Sequence, residues 1–211
     1  MSKDRAKALA LVPVPPDVEA RLAVYVDLLA RWRRITNLVS EATFAEVWTR
    51  HIADSAQLLA LAPHARRWVD MGSGAGFPGM VIAIQLAGVA GAEVHCLESD
   101  QRKCAFLREV ARATGAPARI HAVRVESIDP NGLSPVDAVT ARAFAPLPQV
   151  LEFAKVWLAR GAVGVFPRGR SAEAQLDAAA ISHDFTVDLV ASKLDPAAAI
   201  LRVRAASKAL T

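Results

Sequence analysis

The residues best suited to chemistry stand in a glycine-rich turn. Asp70 lies at the end of a short apolar run, and Gly72, Gly74 and Gly76 follow closely. Glycine is required where a loop takes a positive φ or where a ligand lies against bare backbone. The nicotinamide fingerprint is G-x-G-x-x-G, whereas the spacing here is G-x-G-x-G, which is typical of S-adenosylmethionine loops. Taken alone, the turn also fits an ordinary tight connection between a strand and a helix.

A second acid strengthens the prediction of a cofactor. Residues 93–98 form a predicted strand that ends in Glu98. In a doubly wound sheet, an acid about 20 residues after the glycine loop hydrogen-bonds the ribose hydroxyls. A carboxylate has enough lone pairs to accept from both hydroxyls. The order of glycine loop, helix, strand and acid therefore predicts a cofactor that carries a nucleoside, and the loop spacing favours S-adenosylmethionine.

The tips of the third and fourth predicted strands add further candidates. Ligands of a parallel sheet bind outside the carboxyl ends of its strands. After the third strand, Val125 and Glu126 stand where an adenine ring is expected. The fourth strand ends in the segment TARAFAPLP, which brings Arg142 toward the expected reaction centre. The alternative for Arg142 is an ion pair with Asp70 or Glu126.

The fourth strand tip also limits the kind of methyl acceptor. Exocyclic-amine methyltransferases carry an acid or Asn, two prolines and an aromatic residue here, and this chain has no such tetrapeptide. Methylation at a pyrimidine carbon needs a cysteine nucleophile, but Cys104 lies on a different predicted helix. Arg142 is a poor general base because its guanidinium stays protonated. The target atom is therefore expected to need alignment rather than deprotonation, as a ring nitrogen such as guanine N7 does.

These candidates depend on a regular alternation of strands and helices. The predicted strands are 67–71, 93–98, 119–123, 136–142, 162–166, 184–190 and 199–204. The predicted helices fall near 79–89, 100–115, 147–159 and 171–182. Such alternation indicates a parallel sheet with both faces covered. The last two strands have no helix between them, which predicts a terminal hairpin with an antiparallel strand. The predicted fold class is α/β, a Rossmann-like, mostly parallel seven-stranded sheet of the class I methyltransferase type.

A helical extension is predicted to precede the α/β part. Prolines break the first residues of the chain, so residues 1–16 are predicted to form a loose tail. Apolar residues then recur at helical spacing, and residues 17–64 are predicted as a helical extension ahead of a methyltransferase domain over 65–211. The length of 211 residues suits one domain with an appendage. The apolar content of 53% argues against disorder.

Composition bears on partners and location. The net charge of +4 permits an anionic partner without requiring one. Cys96 and Cys104 fall on a predicted strand and the following helix, so no disulfide is expected, and the chain is predicted to be reduced and cytoplasmic. No histidine or cysteine spacing suits a metal, and the longest apolar run is too short to span a membrane. We therefore expect no metal and no membrane contact. The sequence is silent on oligomeric state, and a monomer is taken as the expectation.

Six segments of the chain form a recognisable set: RWVDMGSGAGFPGMVIAI, LESDQRKCAFLREV, VRVESI and VTARAFAPL, with NLVS and RHIADS upstream. Together they resemble the 16S ribosomal RNA guanine-N7 methyltransferase family, also called glucose-inhibited division protein B. The resemblance implies S-adenosylmethionine as cofactor, held by Gly72, Phe77, Val125, Glu126 and Arg142. It also implies, as substrate, one guanosine of the small-subunit decoding region, in 16S rRNA, in a 30S subunit or in its assembly intermediate.

Three residues are candidates for contact with RNA. Arg50 and His51 share a predicted helix with Asp54, which stands four positions after Arg50 and can pair with it. These side chains form either a wall of the active-site cleft or a polar network that fastens the helical extension to the sheet. Arg168 follows the fifth predicted strand, where many members of the resembled family have Lys. Arginine keeps the charge there but changes its shape.

Other functions stay open on the sequence alone. The first is a methyltransferase that acts on another RNA or on a small molecule. The second is a nicotinamide oxidoreductase, against which the glycine spacing argues. The third is a non-catalytic RNA-binding protein, against which the intact glycine loop, Glu98 and Arg142 argue.

Overall fold

The N-terminal part of the protein is helical. In a computed structural model, residues 2–133, 135–169 and 184–206 are described. The helical elements before the sheet are α1 (Lys3–Leu11), α2 (Pro16–Trp32), α3 (Glu41–Phe44), a π-helical turn (Trp48–Ala53), α4 (Asp54–Ala56) and a 3-10 turn (Gln57–Leu61). The one or two helices predicted over 43–62 are thus several short helical pieces that follow one another.

The prediction of a loose tail over residues 1–16 is wrong, because α1 occupies most of it. Ser2 caps the helix by accepting a hydrogen bond from the backbone N–H of Arg5 at 3.2 Å. The carboxylate of Asp4 accepts from the N–H of Trp48 at 2.8 Å and from the hydroxyl of Thr49 at 2.6 Å. Long-range bonds of this kind hold α1 in place, and the spacing of prolines along the chain does not reveal them.

A seven-stranded sheet lies at the centre of the protein. Its strands are β1 (Arg67–Met71), β2 (Glu93–Glu98), β3 (Ala118–Ala122), β4 (Ala138–Thr140), β5 (Val163–Arg168), β6 (Phe185–Ala191) and β7 (Ala199–Ala205). Their spatial order is β3-β2-β1-β4-β5-β7-β6. Strands β1 to β5 are parallel, and β7 runs antiparallel to both β5 and β6. The predicted mostly parallel sheet with a terminal hairpin is confirmed.

The strand order places a crevice at the centre of the sheet. The chain moves outward from β1 to β2 and β3, then returns to form β4 on the other side of β1. In open α/β sheets, ligands bind at such a reversal, beyond the carboxyl ends of the strands. The tips of β1, β2 and β4 therefore frame the expected site.

Within the described residues of the α/β part, three helices cover the sheet: α5 (Gly79–Gln85), α6 (Gln101–Thr114) and α7 (Leu147–Leu158). Helix α5 ends before its predicted limit of residue 89, and Gly88 takes a φ of +84° just beyond it. The helix predicted over 171–182 lies outside the described residues.

The two faces of the sheet bury separate cores. Neighbouring residues of a strand point to opposite faces, so Trp68 and Val69 of β1 enter different cores. Trp68 packs in the core that contains Leu22 of α2 and residues of α5 and α6. Val69 packs with α7, including Trp157. The helical extension thus shares a core with the helices next to the glycine loop.

Two further properties concern only the residues described above. No helix among them is long and apolar enough to cross a membrane. No group of three or more His, Cys, Asp or Glu side chains in those segments is arranged to hold a metal ion.

Candidate active site

The glycine loop at the tip of β1 is built around positions that exclude a side chain. Gly72 and Gly76 have φ values of +68° and +98°, which residues with a Cβ rarely adopt. A Cβ on Gly72 would lie 2.2 Å from a ring carbon of Phe144. A Cβ on Gly76 would lie 2.8 Å from the hydroxyl oxygen of Tyr25. The loop is therefore packed between the β4 tip and helix α2, with Gly72 and Gly74 half-buried and the other loop residues buried.

Glu98, at the tip of β2, fixes two loops to each other. Its Oε2 accepts a hydrogen bond from the N–H of Gly74 at 2.8 Å, and its Oε1 accepts from the N–H of Asp100 at 2.8 Å. A carboxylate offers about four lone-pair positions, so each oxygen can accept one more bond. The side chain is buried yet borders the cleft. This position suits a group that presents hydroxyls.

A cavity of about 420 Å³ opens above these tips. Its size lies within the range of small-molecule sites, about 300–1,000 Å³. The predicted cofactor residues that line it are Gly72, Gly74, Phe77, Glu98, Val125, Glu126 and Arg142. Gly76, the remaining one, lies behind the lining and packs against Tyr25. The cavity thus joins residues from four separate segments of the chain.

The helical extension supplies part of the cavity wall. Leu38, Val39 and Thr43, from the segment between α2 and α3 and from α3 itself, line the cavity. Lys103, in the first turn of α6, also lines it. Leu38 and Val39 belong to the NLVS segment of the family resemblance, but the sequence did not place them or Thr43 at the cavity, because their approach to the sheet depends on how α2 packs.

Arg142 connects the β4 tip to the helical extension. Its Nη1 donates to the backbone carbonyl oxygen of Arg50 at 3.2 Å and lies 3.3 Å from Oδ2 of Asp54. Its Nη2 lies 2.8 Å from Nδ1 of His51. Arg142 therefore forms an ion pair, but the predicted partners, Asp70 and Glu126, are wrong. The acid that pairs with Arg142 comes from the extension, 88 positions earlier in the chain.

His51 is held as a neutral ring between Arg142 and Phe77. Its ring stacks on Phe77 with centroids 4.8 Å apart and an interplanar angle of 20°. The guanidinium carbon of Arg142 lies 5.1 Å from the centroid of the same phenyl ring. Burial, followed by the charges of Arg142 and Arg50, lowers the pKa of His51 from 6.5 to about 4. Its Nδ1 can therefore accept the hydrogen bond from Arg142.

Asp54 completes this polar network. Its Oδ1 accepts a hydrogen bond from the side-chain amide of Gln57 at 3.0 Å. Burial raises the pKa of Asp54, whereas the adjacent Arg142 acts in the opposite direction. The side chains of Asp54 and Arg142 are 25% and 19% exposed, so their ion pair is shielded from much of the solvent. The network fastens the extension to the sheet and also forms a wall of the cleft.

Asp70 lies beneath the glycine loop rather than in the cleft. It is fully buried, and its Oδ2 accepts a hydrogen bond from the N–H of Gly79 at 3.0 Å. Its Oδ1 has no partner among the described residues. Burial raises the pKa of Asp70 from 3.8 to about 7. The residue stabilises the start of α5 and does not line the cavity.

The backbone after Arg142 is strained. Ala143 has a φ of +50° and is a non-glycine residue in the left-handed region. Strain of this kind is found at functional sites, where the surrounding structure imposes it. The next residue, Phe144, presses against Gly72 and lies 5.9 Å from Phe153 between ring centroids. Strand β4 is accordingly shorter than the strand predicted over 136–142, because the chain leaves the sheet to place Arg142 and Phe144 at the cavity.

A second cavity, of about 570 Å³, lies beside the first. Arg142 borders both cavities, and Asp54 and Arg50 border the second. Arg168, at the end of β5, also lines the second cavity. Burial lowers the pKa of Arg168. Its Nε and Nη2 are buried and have no hydrogen-bond partner in the described part of the chain.

Comparison with known proteins identifies the family. The family model for rRNA small subunit methyltransferase G (GidB) matches residues 18–195. A relative of that name from Methylorubrum populi is 47% identical over 209 residues, which are 99% of each chain. Another from Methylobacterium sp. (strain 4-46) is 48% identical over 210 residues, 98% of each chain. The chain belongs to this family.

A solved structure has a fold similar to that of this chain. A methyltransferase from Geobacter sulfurreducens matches with a TM-score of 0.58 at 18% identity, covering 94% of this chain and 95% of that chain. The predicted family and fold class are confirmed. Membership in this methyltransferase family also confirms the prediction that the cofactor is S-adenosylmethionine. The monomer, the absence of a metal and the cytoplasmic location stay predictions.

Most predicted site residues of the methyltransferase come together at the two cavities. The cofactor candidates other than Gly76 line the first, and Arg50 and Arg168 line the second. His51 lines the first cavity and contacts Arg142. Their roles stay predictions. Tyr25 was missed, although it donates a hydrogen bond to the glycine loop, because a tyrosine on an apolar helix face is indistinguishable in sequence from an ordinary core residue.

Proposed function

We propose that the protein transfers a methyl group to N7 of one guanosine in 16S ribosomal RNA. The name shared by the family and by its relatives supports an RNA of the small ribosomal subunit as substrate. The choice of N7 rests on the β4 tip, which lines the cavity with Arg142, Ala143 and Phe144 and therefore brings neither a cysteine nor an acid to the wall at that point.

The first cavity suits S-adenosylmethionine, which when bound supplies a methyl group that a lone pair can displace from sulfur. Gly72 and Gly74 leave room for a ligand to lie against backbone. Glu98 has lone pairs left for the ribose hydroxyls. The buried side chain of Val125 offers an apolar surface for adenine, and Glu126 lies next to it. These residues bind and orient the nucleoside.

Among the described residues, the two possible bases in contact with Arg142, His51 and Asp54, are both already engaged in hydrogen bonds. Nδ1 of His51 accepts from Arg142, and the ring is neutral. The carboxylate of Asp54 is bonded to Arg142 and Gln57. A target that must lose a proton would need a free base within hydrogen-bond reach. Guanine N7 carries a lone pair and no proton, so alignment alone can serve it.

The observation that most strongly supports the proposed function is the position of Arg142 between the two cavities. It contacts the extension through three groups and borders both cavities. A guanidinium has five N–H donors in a fixed plane, and a guanine can accept at O6. We infer that Arg142 orients the target guanine edge-on beside the cofactor cavity.

Basic residues near the second cavity are assigned to RNA. The side chain of Arg50 is 59% exposed. Its ion pair with Glu46 is long, with 3.7 Å between Nη1 and Oε2. Arg168 lines the same cavity. His51 is enclosed by Arg142 and Phe77, which supports a role in holding Arg142 rather than in direct contact with RNA. Binding through cations predicts that RNA affinity falls with salt.

A gene deletion tests the proposal. The 16S rRNA of cells without the gene, with it, and with an Arg142→Ala copy is mapped by cleavage specific for 7-methylguanosine. We expect one cleavage site that disappears on deletion, returns with the native gene and does not return with the variant. A methyl group that maps to another ring position or to another RNA would reject the proposal.

A further inference from the structure

The second cavity is lined by charged side chains of both signs. Four are cationic, Lys7, Arg50, Arg142 and Arg168, and three are acidic, Glu46, Asp54 and Asp195. Two of the cations have acidic partners, because Arg50 pairs with Glu46 and Arg142 pairs with Asp54. Within the described segments, neither Lys7 nor Arg168 has an acidic side chain within ion-pair distance. The cavity is therefore suited to an anion.

Arg168 lines this cavity and has one guanidinium edge without hydrogen-bond partners in the described part of the chain. The two nitrogens without partners, Nε and Nη2, lie on the same edge of the guanidinium. That edge forms two parallel N–H···O bonds with the two oxygens of one carboxylate or phosphate group. A buried donor without a partner carries a free-energy cost, because it has lost its hydrogen bonds to water. A ligand that satisfied both nitrogens would remove that cost.

The second cavity adjoins the expected reaction centre. Arg142 borders it on one side and the cofactor cavity on the other. A nucleotide whose base lies against Arg142 must continue into its own backbone on either side of the base. The second cavity, with a volume of about 570 Å³, is an adjacent space large enough for that backbone.

We propose that the second cavity binds one phosphodiester group of the RNA strand next to the target nucleotide, with Nε and Nη2 of Arg168 as its bidentate donors and Lys7 as a second cation. This assignment rests on the proposed function, since it takes the strand from the same RNA. It assigns α1 to the RNA-binding surface, because Lys7 lies on that helix. Lysine at position 168 would bind phosphate only as a point charge.

The test uses the full-length protein and three variants: Arg168→Gln, Arg168→Lys and, as a matched control, Arg112→Gln. Arg112 is exposed on α6 and lines neither cavity. The dissociation constant for 16S rRNA, free and in 30S particles, is measured by filter binding over a series of salt concentrations. The dissociation constant for S-adenosylmethionine is measured by calorimetry, and methyl transfer to the same RNA is recorded for each protein.

The expected result separates charge from shape. Arg168→Gln should raise the dissociation constant for RNA about tenfold and lower the salt slope by about 0.7, the value for one phosphate on a single strand. Arg168→Lys should keep the slope but weaken binding severalfold, because it loses the bidentate pair. Arg112→Gln should match the native protein. The affinity for S-adenosylmethionine should stay within twofold in all variants.

Three outcomes would overturn the assignment. One is an Arg168→Gln protein whose salt slope equals that of Arg112→Gln. A second is an Arg168→Lys protein with native RNA affinity, a decisive result even when the glutamine variant does not fold. A third is an equal loss of affinity for RNA and cofactor, which would indicate a structural role. If the native protein transfers no methyl group to the RNA, the proposed function itself fails, and this is distinguishable from failure at Arg168 alone.

Discussion

The hydroxyl of Tyr25 donates a hydrogen bond of 2.5 Å to the carbonyl oxygen of Ala75, a residue of the glycine loop. Tyr25 is fully buried in α2, and burial raises the pKa of its hydroxyl, so the group remains a donor at every ordinary pH. Its ring also lies 5.4 Å from that of Phe77 between centroids. The helical extension therefore positions the loop on which the cofactor is expected to lie.

Replacing Tyr25 with Phe is expected to weaken the cofactor site. The change leaves the carbonyl of Ala75 without its buried donor, a loss of about 1–2 kcal/mol. Since the loop is then less well held, the dissociation constant for S-adenosylmethionine should rise about tenfold. Calorimetry and thermal unfolding measure the two effects.

Trp32→Phe provides the control for Tyr25→Phe. Trp32 lies on the same helix as Tyr25, seven residues further along, and the change removes the 2.8 Å hydrogen bond that its Nε1 donates to Glu109 of α6. This variant should lose stability without losing cofactor affinity. Equal cofactor affinity in both variants would show that Tyr25 does not act on the loop.

Replacing Glu98 with Ala should weaken S-adenosylmethionine binding by about tenfold or more. The variant loses the acceptor for Gly74 and Asp100, and the acceptor proposed for the ribose. The 2′-deoxy form of S-adenosylhomocysteine separates the two effects. The native protein should bind it less tightly than the ribose form, whereas Glu98→Ala should bind both forms alike. The same preference for the ribose form in both proteins would exclude the ribose role.

Replacing Asp54 with Asn should destabilise the protein and slow methyl transfer. The asparagine has the size of the native side chain but leaves the shielded guanidinium of Arg142 without its charge partner. The free energy of unfolding should fall by between about 1 and 3 kcal/mol, since the pair is only partly exposed. Methyl transfer should fall at saturating cofactor because Arg142 is no longer held. Glu41→Gln serves as the control because it breaks a more exposed ion pair, the one with Arg33. This variant should lose less stability than Asp54→Asn and should keep native activity.

The stability of the native protein should carry a pH dependence that comes from Asp70. Its folded pKa of about 7 lies above its ordinary value of 3.8. Between these values the folded state holds a proton that the unfolded chain has released. The contribution is therefore complete below pH 4 and is lost as the pH rises to 7 and beyond.

Asp70→Asn is the variant that isolates this contribution. It keeps an acceptor for Gly79 and removes the titration. The difference in unfolding free energy between the variant and the native protein, measured by denaturant titration from pH 4 to pH 8, should change in favour of the variant as the pH rises. A constant difference over this range would show that Asp70 titrates normally.

The parts of the fold that could be predicted are those specified by local pattern. Strands 67–71 and 93–98 agree with β1 and β2 residue for residue, because each apolar run is bounded by charged residues or glycine. The strand predicted over 136–142 is longer than β4, because the strain at Ala143 has no signature in an alanine. Helix α1 was missed because Asp4 holds it through bonds to residues more than 40 positions away.

The candidate site also contains residues that local pattern could place and contacts that it could not. Gly72 and Glu98 could be placed from the order of strands and loops, since parallel strand tips meet at one edge. The partner of Arg142 could not, because Asp54 reaches it only after the extension has packed on the sheet. The unsatisfied edge of Arg168 likewise depends on which groups surround it in the folded chain.

The most direct test of the central claim uses the purified protein, S-adenosylmethionine with a labelled methyl group, and 16S rRNA supplied free or in 30S particles. The RNA is digested to nucleosides, and the labelled product is identified by mass spectrometry. We expect the label in 7-methylguanosine alone, at no more than one methyl group per RNA, and no label with Arg142→Ala. Label in any other nucleoside, or undiminished labelling by the variant, would contradict a site in which Arg142 aligns a guanine N7 with the methyl donor.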